Sequence, residues 1–398
     1  MPEGFVPVPR TPLEIVTGSR GPENFNPEQV KVEMLDEIIS YMPNSHPLQT
    51  LTSHFKDTDQ VENYRFEWIE DDEYPRETTL TAASAVGDTT LDIPVGEETR
   101  FAAQYELLNV NTGELVLISS VASGVLTVTR DIGATGQTNM SAGDKLVFIA
   151  PIYEDGAGAG VLKSTKKVPQ FNYTQIMRLP FGWTRRGGKI DLYGGKDPAY
   201  LRKKMGSEHA KSTELAAFFG KKESRSGASH LITFTDGLVN RIKNNVLDVT
   251  ATGSLTEDIF DEFLETALRE GEGGYLHGSG TKYAFFSARL ITRIAKWAKD
   301  KLQYRIMDKK IGFGAYDYQS PHGMLKITHT PILDYNHSGW GFIVDLNHVT
   351  KVVFGGDDMA LLKNRQANDV DGTTEEYLSD VGWRWELSDA HSQIKGVR

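Results

Sequence analysis

The 398-residue chain contains no cysteine. That absence excludes a disulfide framework, Cys-ligated zinc, iron–sulfur clusters and any thiol nucleophile. Long apolar runs are missing too. The longest, such as Leu146–Ile152, fall far short of the roughly 20 residues that span a bilayer, so no membrane partner is expected. The opening Met-Pro-Glu-Gly-Phe-Val-Pro-Val-Pro-Arg lacks the apolar core of a signal peptide, and no export signal is expected. Positive charge is in deficit: 43 Lys+Arg face 54 Asp+Glu, a net charge of -11. This argues against a dedicated nucleic-acid binder, which neutralises phosphates with clustered Lys and Arg.

The motifs of common chemistries are also absent. Gly274–Lys282 and Gly194-Gly195-Lys196-Asp197 do not complete a phosphate-binding loop, and Gly156–Gly160 lacks dinucleotide spacing. Asp369, Asp371 and Gly372 mimic part of a calcium loop, but Ala367 and Leu378 stand where carboxylates are needed. No H-e-x-x-H or G-x-S-x-G pattern occurs, and the ten His are scattered singly. No catalytic, metal or cofactor-binding residue is assigned, and no cofactor is expected.

What is present is an ordinary globular composition, 24% charged and 39% hydrophobic, long enough for two or three domains. Six prolines within residues 1–27 make the N-terminus an extended arm. Asn26-Pro27 reads as the start of a short helix with Leu35, Ile38, Ile39 and Met42 on its buried stripe. Residues 78–150 change character, with short β-rich runs separated by turns at Gly87-Asp88, Asn111-Thr112-Gly113, Ser123-Gly124 and Gly143-Asp144, the pattern of a small β-barrel or sandwich. It interrupts two alternating stretches, Tyr64–Tyr74 and Val168–Trp183, as though inserted into a long hairpin.

Asp197-Pro198 opens the longest helical pattern, with Leu201, Met205, Ala210 or Ser212, Leu215, Ala216 and Phe219 along one face and Gly220 near its end. Ser254 with Glu257 reads as a capping box, and Ser287 as the cap of a further helix through Leu290, Ile291, Ile294 and Trp297. From Met324 the period returns to two, in Leu325–Leu333, Gly341–Leu346, Val349–Phe354 and Trp383–Leu387. The fold class is α+β.

Charge is segregated. Residues 62–77 carry seven acids, among them Glu67, Glu70, Asp71 and Asp72, whereas residues 163–189 carry Lys163, Lys166, Lys167, Arg178, Arg185, Arg186 and Lys189 with no acid. Opposite charges on two arms, or across subunits, attract. Glu67, Glu70, Asp71, Asp72, Arg178, Arg185 and Arg186 are therefore the candidate subunit-contact residues.

The order of parts, together with Phe171-Asn172-Tyr173-Thr174-Gln175-Ile176-Met177-Arg178, Phe342-Ile343-Val344-Asp345-Leu346 and Tyr377-Leu378-Ser379-Asp380-Val381-Gly382-Trp383, resembles the major capsid (major head) proteins of tailed bacteriophages with the Hong Kong 97 fold. Leu80-Thr81-Ala82-Ala83 and Leu126-Thr127-Val128-Thr129-Arg130-Asp131 resemble the subgroup with a β domain inside the extended loop. The resemblance implies an arm and short helix over 1–60, an extended loop over 61–77 and 151–190, and the inserted domain over 78–150. It further implies a spine helix within 191–230, an axial domain over 231–325, and peripheral strands over 326–398. The implied function is a non-enzymatic virion protein, made in the host bacterial cytoplasm, that assembles with itself into hexamers and pentamers of an icosahedral head. Such a head encloses double-stranded DNA without sequence-specific contacts. A separate scaffolding protein, a portal and a decoration protein are the implied further partners. The alternatives are a phage tail or decoration protein and a carbohydrate-active enzyme using the acidic strand.

Overall fold

The computed structural model describes residues 46–55, 58–71, 74–134, 136–158, 160–190, 197–271, 273–274, 280–297, 302–306 and 314–398. The helix expected after Asn26-Pro27 and the candidate Asp72 lie outside the described residues. The chain forms two compact units: Phe66–Phe171, and the segments on either side of it, up to Arg65 and from Asn172.

The strand Arg65–Glu70 pairs with Val168–Tyr173 as a two-stranded ribbon, and the first unit contains a six-stranded sheet. Its order is Glu77–Thr79, Lys145–Pro151, Tyr105–Asn109, Leu115–Ala122, Val125–Thr129, Thr90–Asp92, and all pairings are antiparallel. The two edges approach each other, since the Thr81 N–H donates to the Asp92 carbonyl at 2.9 Å. Curling this way removes exposed edges. Alternation places Leu91, Leu107, Val116, Ile118, Leu126 and Leu146 inside, all fully buried. A bidentate ion pair is buried with them: Arg130 donates to Glu114 at 2.8 and 2.6 Å and to the Ala85 carbonyl at 2.6 Å, and the Thr138 N–H caps Glu114 at 2.9 Å. Burial pushes the Glu114 carboxyl up, but the Arg130 and Thr138 hydrogen bonds outweigh it and hold it below the usual range.

The second unit carries the six α-helices of the described residues: α1 (Pro47–Phe55), α2 (Asp197–Phe219), α3 (Leu238–Arg241), α4 (Glu257–Ala267), α5 (Ala288–Trp297) and α6 (Pro331–Asn336). Its five-stranded sheet runs Asp59–Val61, Val349–Phe354, Gly372–Trp385, Gln175–Thr184, with Ala360–Leu362 also paired to Gly372–Trp385. A mixed seven-stranded sheet runs Val246–Asp248, Ser392–Lys395, Gly341–Val344, Thr281–Phe286, Gly323–His329, Gly314–Ser320, Leu302–Ile306. One core gathers Phe218, Phe285, Phe342, Trp383 and Trp385, and another gathers Phe260, Leu264, Leu290, Ile294 and Tyr318. Helices and strands mix in one body, as the α+β reading requires.

Three local expectations change. The buried face of α2 is His209, Ala210, Thr213, Glu214, Ala217 and Phe218, whereas Leu215 is exposed. Polar groups occupy the inner face because the body supplies partners, such as Ser379 Oγ at 2.8 Å from His209 Nε2. The cap of α4 is Thr256, whose Oγ1 accepts the Ile259 N–H, with Leu255 and Phe260 buried together as a hydrophobic staple, so the expected Ser254 box is displaced by two residues. The strand expected over Leu325–Leu333 ends at His329, because Pro331 lacks the N–H a ladder needs and opens α6 instead. Gly220 ends α2 where a Cβ would lie 2.5 Å from the Ala216 and Thr235 carbonyl oxygens.

Candidate subunit-contact surfaces

Glu67 and Glu70 lie on the ribbon strand Arg65–Glu70, where alternation buries Phe66 and leaves Glu67 and Ile69 outward. Trp68 Nε1 donates to Glu70 Oε1 at 2.8 Å, and Thr165 Oγ1 donates to Asp71 Oδ1 at 3.0 Å, so the acidic strand is held by its own unit. Apolar side chains in the same unit face water: Ile69 is 70% exposed and Leu162 96%.

The basic candidates sit on the second unit. Gln175–Thr184, expected as a hairpin arm, pairs along its whole length with Gly372–Trp385, which brings acids beside the arginines. Arg178 lies 3.1 Å from Glu376, which Arg365 also contacts at 3.1 Å, and Arg185 Nε lies 2.8 and 3.1 Å from the Asp371 oxygens. Arg186 is exposed at the turn after that strand. Arg178 and Arg185 are roughly half and 60% exposed, so their pairs are solvent-screened.

Sequence reasoning missed the base of the ribbon. Asn172, 1% exposed, donates through Nδ2 to the Trp383 carbonyl at 2.7 Å and accepts the Asp236 and Tyr173 N–H groups at 2.8 Å each. One side chain thereby ties three segments far apart in sequence. The signal available was Asn172 itself, a polar residue amid the strand pattern Phe171–Met177. Further along the strand Gly372–Trp385, Glu375 is buried and bidentate with Arg202 at 2.6 Å; the Arg202 hydrogen bond holds its carboxyl below the usual range.

Other buried titratable groups are engaged with backbone. Lys282 donates to the Ala267 and Ala390 carbonyls at 2.9 and 2.8 Å, and burial lowers its pKa to about 8. His391 is lowered to about 3, first by burial and then by Lys282. Among the described residues no cluster of three or more His, Asp or Glu is placed to hold a metal ion.

Comparison with known proteins gives three findings. The major capsid protein of Pseudomonas phage PaMx41 is 23% identical over 211 residues, 52% of this chain and 50% of that protein, so the chain spans about half the length of the curated relative it matches. Similar solved structures include the capsid of a native GTA particle (9% identity, TM-score 0.49, 95% of this chain and 98% of that chain) and Mycobacterium phage Bobi (8% identity, TM-score 0.48, 93% and 96%). The family model described as SU10 major capsid protein matches residues 19–398, nearly the whole sequence. The chain therefore belongs to the SU10 major capsid protein family.

Proposed function

We propose that this protein is the main building block of an icosahedral phage head of the Hong Kong 97 type, self-assembling into hexamers and pentamers around double-stranded DNA. The observation that carries the reading is the family match over residues 19–398. The mechanism is interlocking. The arm and short helix (1–60) and the loop (61–77 and 151–190) with its inserted β domain (78–150) reach neighbours. The spine helix (191–230), axial domain (231–325) and C-terminal strands (326–398) form the tile. The chain works by geometry and performs no catalysis. It is made in the host bacterial cytoplasm and resides in the virion, with a separate scaffold, a portal and a decoration protein as further partners.

Glu67, Glu70, Asp71, Asp72, Arg178, Arg185 and Arg186 are the proposed contact residues. Single exposed pairs contribute about 0 to 1 kcal/mol and are screened over roughly 8 Å at physiological salt. Repeated at every subunit boundary they select register and partner, because like charges brought together are penalised. Negative-stain electron microscopy of the expressed protein, alone or with its scaffold, should display shells, tubes or capsomers. A species that stays monomeric at every salt and protein concentration would refute the reading.

A further inference from the structure

An open cleft of about 460 Å³ lies beside α5, lined by Arg289, Thr292, Arg293, Lys296 and Arg398. Helical periodicity creates it. Leu290 and Ile294 are buried and Ile291 and Trp297 pack against the same core, so Arg289, Thr292, Arg293 and Lys296, at i, i+3, i+4 and i+7, fall on the opposite face. The helix carries no acidic residue. Among the described residues, Asp334 beside the start of the helix and Asp248 are engaged by other partners. Asp334 accepts the Ala288 N–H at 2.7 Å and bonds His329 at 2.6 Å, and Asp248 pairs with Lys395 at 3.1 Å.

Two of the cations are held in place. Arg293 Nε donates to the Arg398 backbone oxygen at 2.9 Å, while the Arg398 N–H donates to the Gly253 carbonyl at 2.9 Å and its stem lies against Gly253, where a Cβ would meet Arg398 Cδ at 2.8 Å. The cleft therefore gathers three guanidinium groups and an ammonium, one of the guanidinium groups already bonded to the Arg398 oxygen. Concentrated like charge of this kind is electrostatically unfavourable unless an anion meets it.

The spacing identifies the anion. Arg289 to Lys296 spans about 10 Å of helix at 1.5 Å per residue. One strand of a duplex presents a phosphate every 3.4 Å of axis, or about three over that span. Arg forks match phosphate oxygens bidentately. A protein partner is a poorer fit, because interface cores are anchored by aromatic side chains and Met, and none lines this cleft. We propose that the α5 cleft docks the phosphate backbone of double-stranded DNA, gripping about three successive phosphates of one strand. This rests on the reading of the protein as the wall of a DNA-filled head and names the part of the wall that meets the DNA.

The test is fluorescence anisotropy of a labelled 20-base-pair duplex titrated with the full chain, wild type and R289Q/K296Q, between 50 and 200 mM salt. Both substituted side chains are exposed, and Arg293 with its Arg398 contact is retained. The variant should show a salt slope shallower by about two, so that the wild type loses about tenfold more affinity over that range. Equal slopes and affinities, no duplex binding by the wild type, or tighter binding of polyglutamate than of duplex would each overturn the proposal, the last in favour of an acidic protein partner. Shell formation is scored separately by microscopy. Shells with an unchanged slope overturn the cleft alone, and cleft-dependent DNA binding without shells overturns the proposed function alone.

Discussion

Glu214→Gln keeps the shape of a fully buried side chain on α2 and removes its charge. Glu214 Oε2 accepts the Gln49 N–H at 3.1 Å, at the start of α1, while its Oε1 has no hydrogen-bond partner among the described residues; neither does Gln49 Oε1 or His46 Nδ1 on the facing segment. Burial is the largest influence on the carboxyl, and although the Gln49 and Leu48 amides favour the anion, the pKa rises to about 8. The folded protein thus holds Glu214 protonated at neutral pH, whereas the unfolded chain ionises it near 4.5. For an acid whose folded pKa is raised, stability is greatest below the unfolded value. It falls as pH rises towards the folded value, by about 1.4 kcal/mol per pH unit. The cost approaches about 4 kcal/mol at pH 7.5 and is under about 1 kcal/mol at pH 5. Glutamine does not titrate, its carbonyl oxygen can accept the same amides, and its NH₂ offers a donor where acceptors stand unpaired. Urea unfolding of the unassembled subunit, read through buried Trp383 and Trp385, should give nearly equal stabilities at pH 5 and a more stable variant at pH 7.5. Parallel stability curves for the two proteins, or a variant already unfolded at pH 5, would refute the reasoning.

Removing one partner of the buried Arg130–Glu114 pair by Arg130→Met should cost about 3 to 5 kcal/mol, read as loss of the dispersed strand spectrum in residues 66–171 expressed alone. If the unsubstituted fragment itself gives a random-coil spectrum, its core is not self-sufficient. Asn172→Asp replaces a donor by a carboxylate facing the Trp383 carbonyl, and should lower stability by about 1 to 3 kcal/mol in thermal unfolding, with Asn172→Asp recovering part of the loss at low pH. Among the described residues R185E/R186E breaks the one exposed pair to Asp371, so the subunit should unfold within a few degrees of wild type while shell yield drops in electron microscopy. Undiminished shells would remove these arginines from the contact surface.

Strands with regular alternation were legible in the sequence. Val125–Thr129 begins directly after the expected turn at Ser123-Gly124, and α2 runs from Asp197 to Phe219 between its opening Asp-Pro and its closing Gly220. Gly372–Trp385 was legible only at its end, because Thr373-Thr374-Glu375-Glu376 reads as a solvated stretch. Glu375 is buried there only because Arg202, 173 residues earlier, meets it, and no local pattern encodes such a partner. The charge segregation of the candidate residues was visible, but the partners Glu376 and Asp371 depend on a pairing between strands about 200 residues apart. The α5 cleft escaped for a different reason. The same helical spacing that marks Leu290 and Ile294 as core makes its basic face look like ordinary solvated surface.

The sheet orders also fix a timetable for synthesis. Ser392–Lys395 sits between Val246–Asp248 and Gly341–Val344, and Gly372–Trp385 between Val349–Phe354 and Gln175–Thr184, so neither sheet of the larger unit can close until its last strands leave the ribosome. Residues 66–171 are contiguous and need nothing that follows them to complete their own sheet. At about 5 to 20 residues per second, translation of the roughly 220 residues from 172 through the strand ending at Lys395 takes about 10 to 45 s. For that interval Asp59–Val61 and Gln175–Thr184 wait with unpaired edges while the β unit is already finished, and a nascent chain halted before residue 372 presents one folded unit followed by strands open to pairing with other chains.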